Sequence, residues 1–303
     1  MSLARIATIA RFEWRGAVLR PGFWIAALGL PLSMLFYVVI LTRVVPGDPT
    51  HAGAVARSAM AAVNPKAARI FFASPLLIGL MLQMVTAGAS FLYAMVEERE
   101  TRAGEVLLAS ARADEILAGK FVGIGAAGLV QLAFWLAIGA AAVAAAGPVP
   151  AALLPPAGAV AAAVGFSLLG YAFCGSVLLA AACTGGTSRD GQQVFSACFL
   201  LMVIPFTFTS SIVVREPAGV VAQGLSWFPF TGPLVVPLRI LIDPASTSPL
   251  EAVGIVASLL LATACVLRVA PRLYRLSTVS VGTPIRLREA LRQARLAVGG
   301  GRG

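Results

Sequence analysis

Charged side chains make up only 12% of this chain, and two kinds nearly vanish, since Lys66, Lys120 and His51 are its only lysines and histidine. With 59% apolar residues and a mean hydropathy of +0.90, so little charge excludes a soluble globular domain, in which roughly a quarter of the residues are charged. The lysine shortage excludes a nucleoside-triphosphate P-loop, because that loop runs into Gly-Lys-Ser/Thr and Gly119-Lys120 is followed by Phe121. Cysteine is sparse too. Cys174, Cys183, Cys198 and Cys265 show no spacing for zinc or for a disulfide framework and fall inside or at the ends of apolar stretches. They read as packing residues, and no metal site is expected.

What the chain has instead is long uncharged runs: Arg20 to Arg43, Arg69 to Glu97, Asp190 to Arg215 and, nearly, Leu250 to Ala270. Each is long enough to cross hydrocarbon ~30 Å thick, which takes about 20 helical residues. The run from Phe121 to Ser188 holds two crossings, broken by Gly147-Pro148-Val149-Pro150 and Pro155-Pro156. The expected fold is an all-α membrane protein of six transmembrane helices, with spans at 21–42, 70–96, 121–146, 157–183, 191–214 and 250–270. A further uncharged run, Pro217 to Leu238, carries Pro229, Pro233 and Pro237 beside Trp227, Phe228 and Phe230, and reads as a re-entrant or interfacial hairpin before the last span. A signal peptide cleaved near Ala52-Gly53-Ala54 competes for the first run, but that run is too long for one.

The 23 basic residues exceed the 13 acidic ones, for a net charge of +10. They sit at the edges of the apolar runs, so the excess reads as topology and not as nucleic-acid binding. With the N-terminus inside, 17 of the 23 fall on inner segments, which predicts both termini in the cytoplasm and anionic lipid as their neighbour. Residues 1–20 place Leu3, Ile6, Ala10, Trp14 and Ala17 on one helical face, opposite Arg5, Thr8, Arg11 and Arg15. This predicts an interfacial elbow helix, serving either as a membrane anchor or as an additional contact for a cytoplasmic partner. Residues 21–270 then form the transmembrane domain and 271–303 a basic cytoplasmic tail.

Three stretches bear on function. Glu97 to Lys120 holds ten of the 36 charged residues and the Val106-Leu107-Leu108 cluster between two spans, which suits a short helix held against a soluble protein. Within it, Glu97-Glu98 and Arg102 match the EExxxR signature that resembles intramembrane CAAX-type proteases. Those enzymes also need histidines on neighbouring helices, and His51 falls in the opposite loop. Along the second span Gln83, Thr86, Ser90, Tyr93 and Glu97 recur at steps of three and four. Such a polar stripe avoids lipid, so it lines a transport path or bonds to a neighbouring helix. Gly119, Gly123 and Ala127 form a small-residue seam for a close helix neighbour.

The stretch Glu97 to Gly123 resembles the cytoplasmic segment of ABC-2 type permeases, in particular the sodium-efflux group, with its pattern EEKxSRxxExLLSSxxPxxLLxGKxxG. Glu97, Glu98, Arg99, Arg102, Glu105, Leu107, Leu108, Ser110, Leu117, Gly119, Lys120 and Gly123 occupy matching positions, and Glu100 lies among them. Phe228-Pro229-Phe230-Thr231-Gly232-Pro233, with Pro237 and Arg239, is similar to the family's PFTSP…MPxR segment, and Arg272-Leu273-Tyr274 is a weaker third match. Two departures stand out. The family's proline is Ala113 here, with Asp114 expected to cap the following helix, and the outer loop Arg43 to Arg69 is too short for the large external domain of many relatives.

The resemblance implies the permease subunit of an exporter in a bacterial cell (inner) membrane, without an ATPase site of its own. Two ATP-binding subunits would hold ATP and magnesium, and a second permease chain, either identical or a sister, would complete the path. Glu97–Lys120 would seat on the ATPase, and Phe228, Pro229, Phe230, Thr231, Pro233 and Arg239 would form an outer gate hairpin. A polytopic membrane enzyme and an ATP-independent transporter are the alternative classes.

Overall fold

The structure is a computed structural model that describes residues 2–25, 27–29, 77, 79, 81–83, 86, 89–98, 103–145, 155–183 and 188–279. Arg99, Glu100 and Arg102, the loop 43–69, most of the first predicted span and much of the second lie outside the described residues, as does the side chain of Glu105. Among the described residues the elements are helices joined by short turns, without strands.

The helices are α1 (Leu3–Val18), α2 (Ala103–Ser110), α3 (Ala113–Ala145), α4 (Ala157–Ala182), α5 (Ser188–Arg215), α6 (Val220–Trp227), α7 (Gly232–Ile242) and α8 (Pro249–Val279). Residues 21–25, 27–29 and 89–98 are helical as well. Among the described residues, three helices are long and apolar enough to cross a membrane, over Ala113–Ile138, Ala157–Ala182 and Pro249–Arg275. α5 has the length but opens on Ser188, Arg189, Asp190, Gln192 and Gln193.

Two helix ends differ from the sequence expectation. The helix expected to begin near residue 121 begins at Ala113, so the second half of the charged segment is continuous with the apolar helix that follows. At 33 residues α3 is about 50 Å long, well beyond the hydrocarbon thickness. Its first turn is closed by Glu115, not by Asp114. The Glu115 carboxylate reaches back to accept from the Arg112 backbone N–H at 3.3 Å, the reach of a residue three places into a helix, while Asp114 faces Arg275 at 3.8 Å. At the other end of the chain, α8 runs through Pro271 to Val279, so the start of the expected tail is helical. Leu273 and Tyr274 are buried there, and that packing carries the helix past a residue that ordinarily breaks one.

α1 and α3 run side by side in the same direction. The Ser2 backbone N–H donates to Glu115 at 2.6 Å, Ile6 and Ile9 lie on Gly119, and Ala10 and Glu13 lie on Gly123, a constant offset along both helices. A Cβ on Gly119 would fall 2.6 Å from Ile9 Cγ2, and one on Gly123 would run into the Ala10 carbonyl, so the small residues set this spacing. The apolar stripe of α1 is thereby divided: Ile6 and Ala10 turn toward α3, whereas Leu3 and Trp14 stay exposed, as do Phe12 off the stripe and Leu19 just past the helix. The pairing continues beyond α1, where Trp135 Nε1 donates to the Ala27 carbonyl at 2.8 Å and Trp24 meets Phe134 edge to face.

The core has two main halves, and α4 and α8 run through both. At one end Phe166, Phe173 and Cys174 of α4 pack with Leu234, Ile240 and Leu241 of α7 and with Ile255 and Leu259 of α8. At the other, Leu179 and Cys183 pack with Phe91, Met95, Ile116, Ile124, Leu273 and Tyr274. The Pro217–Leu238 run forms a helical hairpin, α6 and α7, turning at Phe228–Thr231, and every residue of α7 is buried.

Candidate functional site: two buried charged clusters

Among the described residues few charges are buried, and the buried ones gather at opposite ends of the bundle. The first cluster centres on Lys120, one turn beyond Glu115 on α3. Its side chain is 3% exposed and its Nζ lies 2.5 Å from Glu13 Oε1 of α1 and 3.3 Å from Glu98 Oε2, at the end of the helical residues 89–98. The Tyr274 hydroxyl of α8 turns to the same carboxylate, and a Cβ on Gly104 of α2 would lie 3.3 Å from that hydroxyl and 3.8 Å from Glu98 Cγ. Three chain segments therefore meet at one ammonium, and α2 and α8 close on the Glu98 carboxylate beside it. Burial holds the Glu98 carboxyl above the ordinary carboxylate range, against the pull of Lys120. Glu97, by contrast, points outward and pairs with Arg20.

Of the segment that the sequence marks for a partner, Glu98, Gly119 and Lys120 are thus internal. Leu107 and Leu108 pack against the core half that contains Phe91 and Met95. What faces outward is Val106, 72% exposed, with Ala109, Ser110 and Arg112. Ser110 donates back to the Leu107 carbonyl at 3.0 Å, closing the C-terminus of α2.

The second cluster centres on Arg239 of α7, which is fully buried. Its Nε donates to the Pro217 carbonyl at 2.7 Å. Nη1 donates to Ser226 Oγ at 2.7 Å and to Glu251 Oε1 at 2.6 Å, and Nη2 donates to the Ser246 carbonyl at 2.6 Å and to Glu251 Oε2 at 3.3 Å. These five bonds use the full donor set of a guanidinium. They tie the turn before α6, α6 itself, the 3₁₀ turn Pro244–Ser246 and the first turn of α8 to α7. Phe230 adds an edge-to-face contact with Phe173 of α4 at 5.1 Å and a tilted one with Phe228 at 5.7 Å, and Thr231 Oγ1 donates to the Leu225 carbonyl at 2.7 Å. Thr231 and Pro233 are buried, while Phe228 and Trp227 are partly exposed.

The polar stripe of the second span splits. Gln83 is buried and donates to the Gly128 carbonyl of α3 at 2.6 Å, and Thr86 donates to Gln131 Oε1 at 3.2 Å. Ser90 bonds back to the Thr86 carbonyl, and Tyr93 is exposed. Nearby, the Tyr171 hydroxyl of α4 donates to the Ile124 carbonyl at 3.1 Å, and only a glycine fits at 128 beside its ring.

Sequence reasoning missed Glu13, Glu251 and Gln131. Glu13 had a signal, because it is the one acid among the first twenty residues and falls on the same helical face as Ile6, Ala10 and Ala17. Glu251 was visible as a lone acid at the start of the last apolar run.

An uncharacterized protein of Methanocaldococcus jannaschii is 30% identical to this chain over 164 residues, which cover 54% of the chain and 38% of the relative. The chain thus matches well under half of that relative's length. Residues 55–270, more than half of the chain, match the family described as ABC-2 family transporter protein. A bundle of long apolar helices, with the few buried charges of the described residues locked in structural clusters, fits that match, and the chain is a multi-pass membrane protein that belongs to the ABC-2 family of transporter proteins.

Proposed function

We propose that this chain is the membrane-spanning permease of an ATP-driven exporter of the sodium-efflux type, moved by separate ATP-binding subunits. The observation that carries the reading is the match of residues 55–270 to the ABC-2 family. The exposed ridge of α2 then supplies a place for a motor to act. Val106 is exposed on α2, and the same stretch of sequence holds the exposed charges of both signs Glu97 and Arg112, the composition of a protein-docking segment. In this reading the α2 end of the bundle is cytoplasmic, the α6–α7 hairpin lies at the outer face, and six spans cross a bacterial cell membrane. A second permease chain completes the path, and two ATP-binding subunits carry ATP and magnesium. Closure of those subunits presses on α2 and shifts the bundle between inward- and outward-facing states.

The buried Arg239 cluster supports a hairpin that moves as a unit with the head of α8. The stripe residues Gln83 and Thr86 serve helix packing in the state described here, with Tyr93 free to meet the path.

Purification of the tagged chain from its native membrane tests the proposal. ATP hydrolysis should co-purify with it, and Val106→Asp should remove most of that activity from the purified complex while leaving the chain folded. Transport by the isolated chain, driven by an ion gradient and needing no ATP, would overturn the reading.

A further inference from the structure

Matching the charged segment by sequence puts Lys120 and Glu98 among the residues that meet the ATPase, but the structure buries both. We infer that Lys120 is a positioning residue that fastens α1 and the root of α2 to α3, so that the three move as one body; this rests on the reading of α2 as the motor's contact.

Two segments share one partner. A single ammonium, 3% exposed, is held at 2.5 Å by Glu13 and at 3.3 Å by Glu98. Breaking either contact leaves a buried charge short of a partner, so neither segment leaves without a penalty that the other also feels. The remaining contacts point the same way. Gly119 and Gly123 flank Lys120 on α3 and are the positions on which α1 lies. Gly104 brings α2 against Glu98 and the Tyr274 hydroxyl, with no room for a branched side chain. A displacement of α2 therefore reaches α1, and through it the residues 21–29 that open the first span, without any contact between α1 and the motor.

Hydrogen exchange on the purified full-length chain in lipid nanodiscs tests this with no ATPase present. Lys120→Met should speed exchange in α1 and α2 together, by about tenfold each, with α4 and α7 unchanged, since local openings are governed by the contacts that hold each unit. Lys120→Arg, which keeps the charge, should restore both. Gly104→Val leaves Lys120 in place and displaces α2, so exchange in α1 should rise with that in α2; a response of α2 alone would overturn the inference, which keeps it open to test if the methionine variant does not fold. Loosening of only one helix in Lys120→Met, or of neither, overturns the shared fastening. The permease reading has a separate readout, because loss of co-purifying ATP hydrolysis from the unaltered chain would sink that reading and leave the exchange result standing.

Discussion

Arg239 and Glu251 face each other across the junction of the hairpin and the last long helix, with Nη1 and Oε1 2.6 Å apart. The guanidinium is fully buried and the carboxylate 15% exposed, so this pair is shielded from water in a way surface pairs are not. Arg239→Met would leave Glu251 uncompensated and strip three further acceptors, the Pro217 and Ser246 carbonyls and Ser226 Oγ, of their donor. The expected loss is about 3 kcal/mol, the lower end for breaking a buried pair because Glu251 keeps some solvent. Arg239→Lys should recover little, since an ammonium cannot satisfy five diverging acceptors. Thermal unfolding in detergent would measure both, and Arg239→Met combined with Glu251→Gln should be less damaging than the sum of the singles.

The seam between α1 and α3 makes a second prediction. Gly123→Leu drives a side chain into the Ala10 carbonyl and the Glu13 Cβ, and neither belongs to a flexible tip. Overpacking of this kind costs about 1–3 kcal/mol when the neighbours can shift. Here the neighbour is a whole helix, so α1 should detach rather than deform. Limited proteolysis should then cut near Arg11 and Arg15 at least as fast as in Lys120→Met, whereas Gly165→Leu, with nothing within 4 Å of its added carbon, should leave the pattern unchanged.

Much of this architecture is written in where charge is absent. The edges at Asp190, Arg215 and Leu250 fall within a few residues of the ends of α5 and the start of α8, because a helix whose apolar sides suit lipid carries its charges at its ends. The edges at Ala113 and Val279 were not legible in this way. Hydropathy reports where lipid ends, while a helix continues into water for as long as caps and packing hold it, as Glu115 and Tyr274 do here. The small-residue seam was visible as a pattern, but a pattern on one helix does not name the helix that fills it. Lys120 was singled out for its charge within a matched motif, and only the fold shows that its charge is spent internally on Glu13 and Glu98.

Gln83 separates packing from path lining. Its amide donates to the Gly128 carbonyl at 2.6 Å in a buried site, so a water-soluble thiol reagent should fail to modify Gln83→Cys in the resting protein. Gln83→Leu removes one buried hydrogen bond and should cost about 1 kcal/mol of stability. Rapid labelling of Gln83→Cys would place this residue on an open water path instead.

Glu98 gives the fold a pH dependence of unusual sign for a carboxylate. Burial raises its pKa above the ordinary 4.5, against Lys120, while Glu13 adds a second negative charge nearby. The folded chain therefore holds the Glu98 proton more tightly than the unfolded chain does. The group's contribution is greatest below 4.5 and declines as pH rises from there through the raised value, since the folded state binds more protons across that window. Glu98→Gln keeps the shape without the titration, so its unfolding temperature should fall less than that of the unaltered chain over the same rise in pH. A wild-type curve that climbs relative to Glu98→Gln across that window would mean that Lys120 outweighs burial. In that case the cluster would be an ordinary ion pair, held by charge at every pH above the carboxylate range.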